Sequence, residues 1–175
     1  MSFGPMPIIN LRIDTLTRSV IDKHSGISHK TKILPVNEKY LVKNSNRLKL
    51  IFDWQLEVKV KTRNVFSLSL ADDKTNVLGL ISIEKMDDHI YVHLVERICG
   101  HHNIYLGIGG NLFAFAGKYA FEMGMRGHIA FRPKTRLINH FSVTLKAIVL
   151  LNGRMGILED AARHLIKIYY PDETL

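Results

Sequence analysis

In Gly107-Ile108-Gly109-Gly110-Asn111-Leu112-Phe113-Ala114-Phe115-Ala116, three glycines crowd a single turn and a helix starts directly after them. Leu112, Phe113, Ala116, Ala120 and Met123 recur at helical spacing, and Gly124 supplies a C-terminal stop. A helix N-terminus exposes unpaired N–H groups and the positive end of the helix dipole, so it attracts phosphate wherever side chains leave the approach clear. The amides of Ile108, Gly109, Gly110 and Asn111 are the expected cradle. The dinucleotide fingerprint would need glycine where Leu112 stands, and the P-loop would need Lys-Ser or Lys-Thr after its second glycine. Neither pattern is present, and a tight strand-to-helix turn without a ligand explains a glycine cluster equally well.

Upstream of that turn, Val65 to Leu70, Val77 to Glu84 and His89 to Glu96 are strand-like runs joined by short polar connections, which predicts an antiparallel meander. Downstream, His128 to Phe131 is a short strand between Gly127 and Pro133, and a helix is expected from about Thr135 to Leu145. Ile148 to Leu151 and Met155 to Leu158 pair around Asn152-Gly153, and a last helix from about Asp160 turns Ala161, Ala162, Leu165, Ile166 and Tyr169 inward. The half before residue 65 is less regular, with strands at Ile8 to Ile13 and Leu48 to Trp54 and a helix near Asn37 to Val42. The sum is a mixed α/β fold, a mostly antiparallel central sheet flanked by helices, in one domain over residues 1–175. No internal repeat or low-complexity tract interrupts it.

The chain has 24 Lys and Arg against 16 Asp and Glu, a formal net charge of +8, which favours anionic partners without naming one. The charges are spread along the chain with no aromatic interleaving, so nucleic acid is a distant third among the partners considered. Cys99 is the only cysteine, which excludes an intramolecular disulfide and a cysteine-built zinc site. No apolar run reaches bilayer length and no leader-like start is visible, so the cytoplasm is the expected location.

The segment Ile104-Tyr105-Leu106-Gly107-Ile108-Gly109 resembles the acyl-coenzyme A motif Q/R-x-x-G-x-G/A of the GNAT superfamily, the general-control-type N-acetyltransferases. Both glycines match, and Ile104 replaces the leading polar residue. More narrowly, the chain resembles small bacterial GNAT proteins, common in Bacteroidetes, whose acceptor is unassigned. Leu11 to Thr17, Gly79-Leu80-Ile81-Ser82, Gly109 to Leu112, Phe131 with Lys134-Thr135, and Leu137-Ile138-Asn139-His140 carry that resemblance.

The resemblance implies a transfer of acetyl from acetyl-coenzyme A to a primary amine, with residues 65–175 as the coenzyme-binding half and 1–64 as the irregular half that forms the acceptor side. The coenzyme is expected on Gly107, Ile108, Gly109, Gly110, Asn111, Lys134 and Thr135. Glu96, at the end of a strand, is the expected general base, with a partner of Arg97 as the plainer reading of the same residue. The resemblance places a thiolate-protonating tyrosine where Phe141 stands, which leaves His140 or Tyr105 to donate. The other class of function open to the sequence is a non-catalytic acyl-coenzyme A-binding or interaction module on the same fold. Adjacent His101 and His102 do not converge on one ion, and no metal is assigned. His89, Tyr91 and His93 share one face of their strand, more in the manner of a half-exposed sheet than of a cleft.

Overall fold

Apolar-rich strand runs and short polar turns build the sheet, and the computed structural model describes residues 20–98 and 104–171. In chain order the strands are β1 (Val20–Asp22), β2 (Ser28–His29), β3 (Thr31–Val36), β4 (Arg63–Leu70), β5 (Val77–Lys85), β6 (Ile90–Arg97), β7 (Tyr105–Leu106), β8 (Ile129–Phe131), β9 (Ile148–Val149) and β10 (Met155–Ile157). The helices are α1 (Glu38–Leu48), α2 (Trp54–Lys59), α3 (Ile108–Glu122), α4 (Ile138–Thr144) and α5 (Glu159–Tyr169).

A seven-stranded sheet runs in the order β3-β4-β5-β6-β8-β10-β9. Its neighbours are antiparallel except β6 and β8, whose parallel pairing needs the long crossover that α3 supplies. A small sheet, β2-β1-β7, fastens the chain just ahead of α3.

Each face of the large sheet is covered. Leu68, Ile81, Ile83 and Val92 pack with Leu112, Phe115 and Ala116 of α3 and with Leu165 and Ile166 of α5. On the other face Val65 and Leu80 pack with Leu41 and Leu48 of α1 and Trp54 of α2. Helix α3 lies between the sheet and α5, which is why Ile108 and the run from Asn111 to Ala120 are buried all round. Helix α5, covered on one side only, keeps its amphipathic stripe.

Gly79 sets how closely α3 can approach the sheet. A Cβ there would lie 2.8 Å from the Glu96 carbonyl oxygen, 3.1 Å from Ile108 Cγ2 and 3.2 Å from Leu112 Cδ1. Gly79→Val should therefore push the first turn of α3 outward and cost about 1–3 kcal/mol. Thermal denaturation should show a fall of roughly 2–10 °C, and an unchanged melting temperature would mean that the contact is slack.

The strand expected over Leu48 to Trp54 is instead the end of α1, a left-handed Lys49 (φ 47) and the start of α2. Asn37 caps α1 through Tyr40 N–H, which carries the helix on to Leu48, and the Asp53 side chain accepts from Gln55 and Leu56 N–H to open α2. Leu48 and Trp54 are buried while Ile51 and Phe52 are both exposed, a pattern that strand alternation does not produce. The other elements named from residue 65 onward stand within a few residues of their expected bounds, the helix from Thr135 opening as a single 3₁₀ turn before α4. The strand over Ile8 to Ile13 lies outside the described residues.

Candidate active site

Strands β6 and β8 pair over only three positions, Ile90 with Ile129, Tyr91 with Ala130 and Val92 with Phe131. At the next residue β6 carries a bulge. Ser82 of β5 faces Leu94 while Ile83 faces Val92, so His93 is the extra residue. From there to Arg97, among the described residues, β6 is paired with β5 alone. The unpaired edge lies at the carboxyl ends of two parallel strands, where ligands of α/β sheets characteristically sit.

The first turn of α3 stands at this end of β6, because Ile108 and Leu112 pack over Gly79 beside the Glu96 carbonyl. Gly107 is the N-cap with φ 92, and no side chain caps the helix. Asn111 N–H donates to the Gly107 carbonyl at 2.9 Å and closes the first turn, so its amide is not among the donors left over for a ligand. The Asn111 side chain is core as well, donating to Thr31 Oγ1 at 3.0 Å and accepting from Tyr170 Oη at 3.4 Å. The amides of Ile108, Gly109 and Gly110 remain.

Two of the three glycines answer structural demands, and the third does not. Gly107 needs its positive φ. At Gly110 a Cβ would overlap the Tyr169 hydroxyl, so glycine there lets α5 pack. Gly109 has neither demand, for a Cβ on it would meet nothing within 4 Å among the described residues. Gly109 is the feature of the turn that packing among the described residues leaves unexplained.

Glu96 does stand at the end of β6, but its carboxylate is 3 % exposed and faces the α1 and α2 side of the sheet. It accepts from Ile51 N–H at 2.6 Å, Phe52 N–H at 3.2 Å and Trp54 Nε1–H at 2.6 Å. Those are neutral donors, and among the described residues no ion pair joins it to Arg97. A carboxylate engaged by three donors is occupied in holding the α1–α2 connection.

The other expected residues are scattered over several elements. Tyr105 is half-buried in β7, two positions before Gly107, with its ring edge-on to His29 at 5.6 Å. Lys134 and Thr135 are exposed just beyond β8, at the same end of the sheet as the start of α3. His140 is exposed on α4, while Phe141 packs against Phe131 at 5.3 Å and Phe113 at 5.9 Å between ring centroids. Cys99, His101 and His102 lie outside the described residues.

A second polar cluster at the bulge was only half visible in the sequence. His93 Nε2 lies 2.6 Å from Glu84 Oε2, and the Tyr91 ring lies 4.7 Å from the imidazole. Burial pushes the Glu84 carboxyl up, but hydrogen bonds from Thr62 and His93, together with the Arg63 guanidinium nearby, hold it below its ordinary value. Beside it Ser82 donates to Glu57 Oε2 at 2.6 Å and Arg63 pairs with Glu57 at 2.9 Å. The shared face of Tyr91 and His93 is legible from alternation; the partner Glu84 depends on strand register and on the bulge.

No family model matches the sequence, and no curated protein matches it. Solved structures do. A GNAT-family acetyltransferase from Staphylococcus aureus Mu50 superposes with a TM-score of 0.50 at 13% identity, over 74% of this chain and 99% of its own. The spermidine/spermine N-acetyltransferase SpeG from Vibrio cholerae gives 0.52 at 13% identity, over 77% and 95%. A chimera of that enzyme with hSSAT gives 0.54 at 13% identity, over 77% and 98%. The fold is that of the GNAT acetyltransferases. Those chains are covered almost whole, so the GNAT fold accounts for about three quarters of this one, the 74–77% that superposes.

Proposed function

We propose that the chain is an N-acetyltransferase that takes acetyl from acetyl-coenzyme A and delivers it to a primary amine. The supporting observation is Gly109, a glycine at the start of α3 that neither its backbone nor packing against the described residues requires. In this reading the amides of Ile108, Gly109 and Gly110, in the turn that Gly107 opens, take the pyrophosphate, and exposed Lys134 and Thr135 offer charge and a hydroxyl from the exit of β8. The acyl arm enters between β6 and β8, where the free strand edge offers N–H and C=O groups to the amides of the pantetheine chain.

Glu96 serves the reaction by shape. It pins residues 51–54 and so keeps the acceptor side in place. Tyr105, two positions before Gly107, and His140, at the surface of α4, are the side chains considered for protonating the thiolate, with solvent as the third source. Phe141 brings no hydroxyl, and that residue is what favours the second reading, a coenzyme-binding module without turnover.

Calorimetric titration with acetyl-coenzyme A and with acetyl-pantetheine, which lacks the pyrophosphate, tests the site. The coenzyme should bind at least about tenfold more tightly, a modest share of what several charge-assisted contacts supply. Equal affinities, or no binding, would remove the pyrophosphate from this turn. Release of free thiol with an amine present separates the transferase from the silent module.

A further inference from the structure

The reaction needs the acceptor amine without its proton, and Glu96 is committed to three donors elsewhere. The bulge supplies another base. His93 is the first residue of β6 beyond its last rung with β8, so its backbone lies where the two strands part. Its side chain is on the α2 face, as shown by Glu84, which stands two positions along β5 from Ser82, itself bonded to Glu57 of α2. The imidazole is 18% exposed and the Glu84 side chain 19%, open enough for an acceptor to reach yet largely shielded from water.

We propose that His93 is the general base of acetyl transfer and that Glu84 is its positioning partner. This rests on the acetyltransferase reading above and goes beyond it by assigning the proton acceptor.

The carboxylate decides which nitrogen works. Glu84 is held in its ionised form and can only accept, so Nε2 carries the proton that bridges the two groups. Nδ1 is left with the lone pair, and among the described residues it makes no hydrogen bond. Glu84 also stabilises the imidazolium that forms, as a carboxylate behind a histidine base does in other enzymes.

The step balances. Nδ1 takes one proton from the acceptor ammonium and passes it to solvent. The freed lone pair on nitrogen forms the C–N bond at the thioester carbon, the C–S bond breaks with its electron pair on sulfur, and the second nitrogen proton ends on the thiolate. Glu84 of β5 and Tyr91 of β6 touch the imidazole; Thr62 and Arg63 act on Glu84, Arg63 pairs with Glu57 of α2, and His89 and Arg154 lie against the Tyr91 ring, Arg154 at 5.5 Å from its centroid.

His93→Gln and Glu84→Gln test the assignment in the full-length protein. Acetyl-coenzyme A affinity is read by calorimetry, and thiol release is followed with spermidine, an arylalkylamine and a lysine-containing peptide. His93→Gln should bind the coenzyme within about twofold of the wild type and lose roughly 10²–10⁴-fold in kcat/KM. Glu84→Gln keeps an oxygen toward Nε2 but removes the charge, and should lose on the order of tenfold or more while shifting the acidic limb of the pH profile. In His93→Gln that limb should flatten. Should His93→Gln fail to fold, the rate and pH profile of Glu84→Gln decide, since a merely structural pair would leave the profile unmoved. A wild type that transfers acetyl alongside an equally active His93→Gln overturns the dyad alone. A wild type that binds no acetyl-coenzyme A, or binds it and acetylates none of these amines, overturns the proposal together with the functional reading beneath it.

Discussion

Replacing Glu96 with alanine should destabilise the protein by about 3–5 kcal/mol, because three N–H donors in a buried site lose their acceptor at once. Each orphaned donor costs about 1–3 kcal/mol, and partial relaxation with water entering the space keeps the total below the simple sum. The melting temperature should fall by roughly 10 °C. Glu96→Gln keeps one accepting oxygen but turns an amide NH₂ toward another donor, so it should lie between wild type and alanine. Were Glu96 the base, the order of effects would reverse: a stable Glu96→Gln would lose turnover, and the loss would shrink as pH rose and the acceptor arrived neutral. Denaturation curves and kcat measured on the same two variants separate the roles. An alanine variant melting within 2 °C of wild type, measured on the scale of about 2–4 °C per kcal/mol, would show that the α1–α2 connection does not depend on this carboxylate.

Gly109→Glu should leave stability unchanged or slightly raised and lower acetyl-coenzyme A affinity by about 100-fold or more. The two halves have separate causes. Among the described residues nothing lies within 4 Å of the added Cβ, so their packing is undisturbed, and a carboxylate in the first turn of a helix is favourable by about 0.3–1 kcal/mol. On the proposed reading the same carboxylate occupies the amides that would hold the pyrophosphate and repels it, and the loss of a charge-assisted contact of about 1.5–3 kcal/mol already approaches the stated factor. Gly109→Ala is the control, adding a methyl group without charge, and should lose much less. A well-folded Gly109→Glu that binds acetyl-coenzyme A like wild type would move the phosphate site away from α3.

The glycine turn, the meander and α3 were legible because their signals are local. Residues from Leu112 to Met123 repeat at helical spacing whatever surrounds them, and β4, β5 and β6 are apolar-rich, strand-like runs of eight or nine residues bounded by short polar segments. The stretch Leu48 to Trp54 misled because its apolar residues belong to two helix ends and an exposed connection, and burial there is set by Glu96, far away in sequence.

The three glycines illustrate the same division. A run of glycines announces a turn, yet only α5 arriving beside α3 shows that Gly110 is there for Tyr169 and that Gly109 is there for nothing inside the fold.

The amino-acid sequence by itself determined the mixed α/β class, the element order after residue 64 and the place of the glycine turn at the start of α3, since periodicity, turn chemistry and helix termini act over a few neighbouring residues. Tertiary structure alone decided that Glu96 is spent on the α1–α2 connection, that Asn111 is core, and that a bulge sets His93 against Glu84 where β6 and β8 part. Side chains on different strands meet according to register, and a single extra residue changes which face and which partner each one finds.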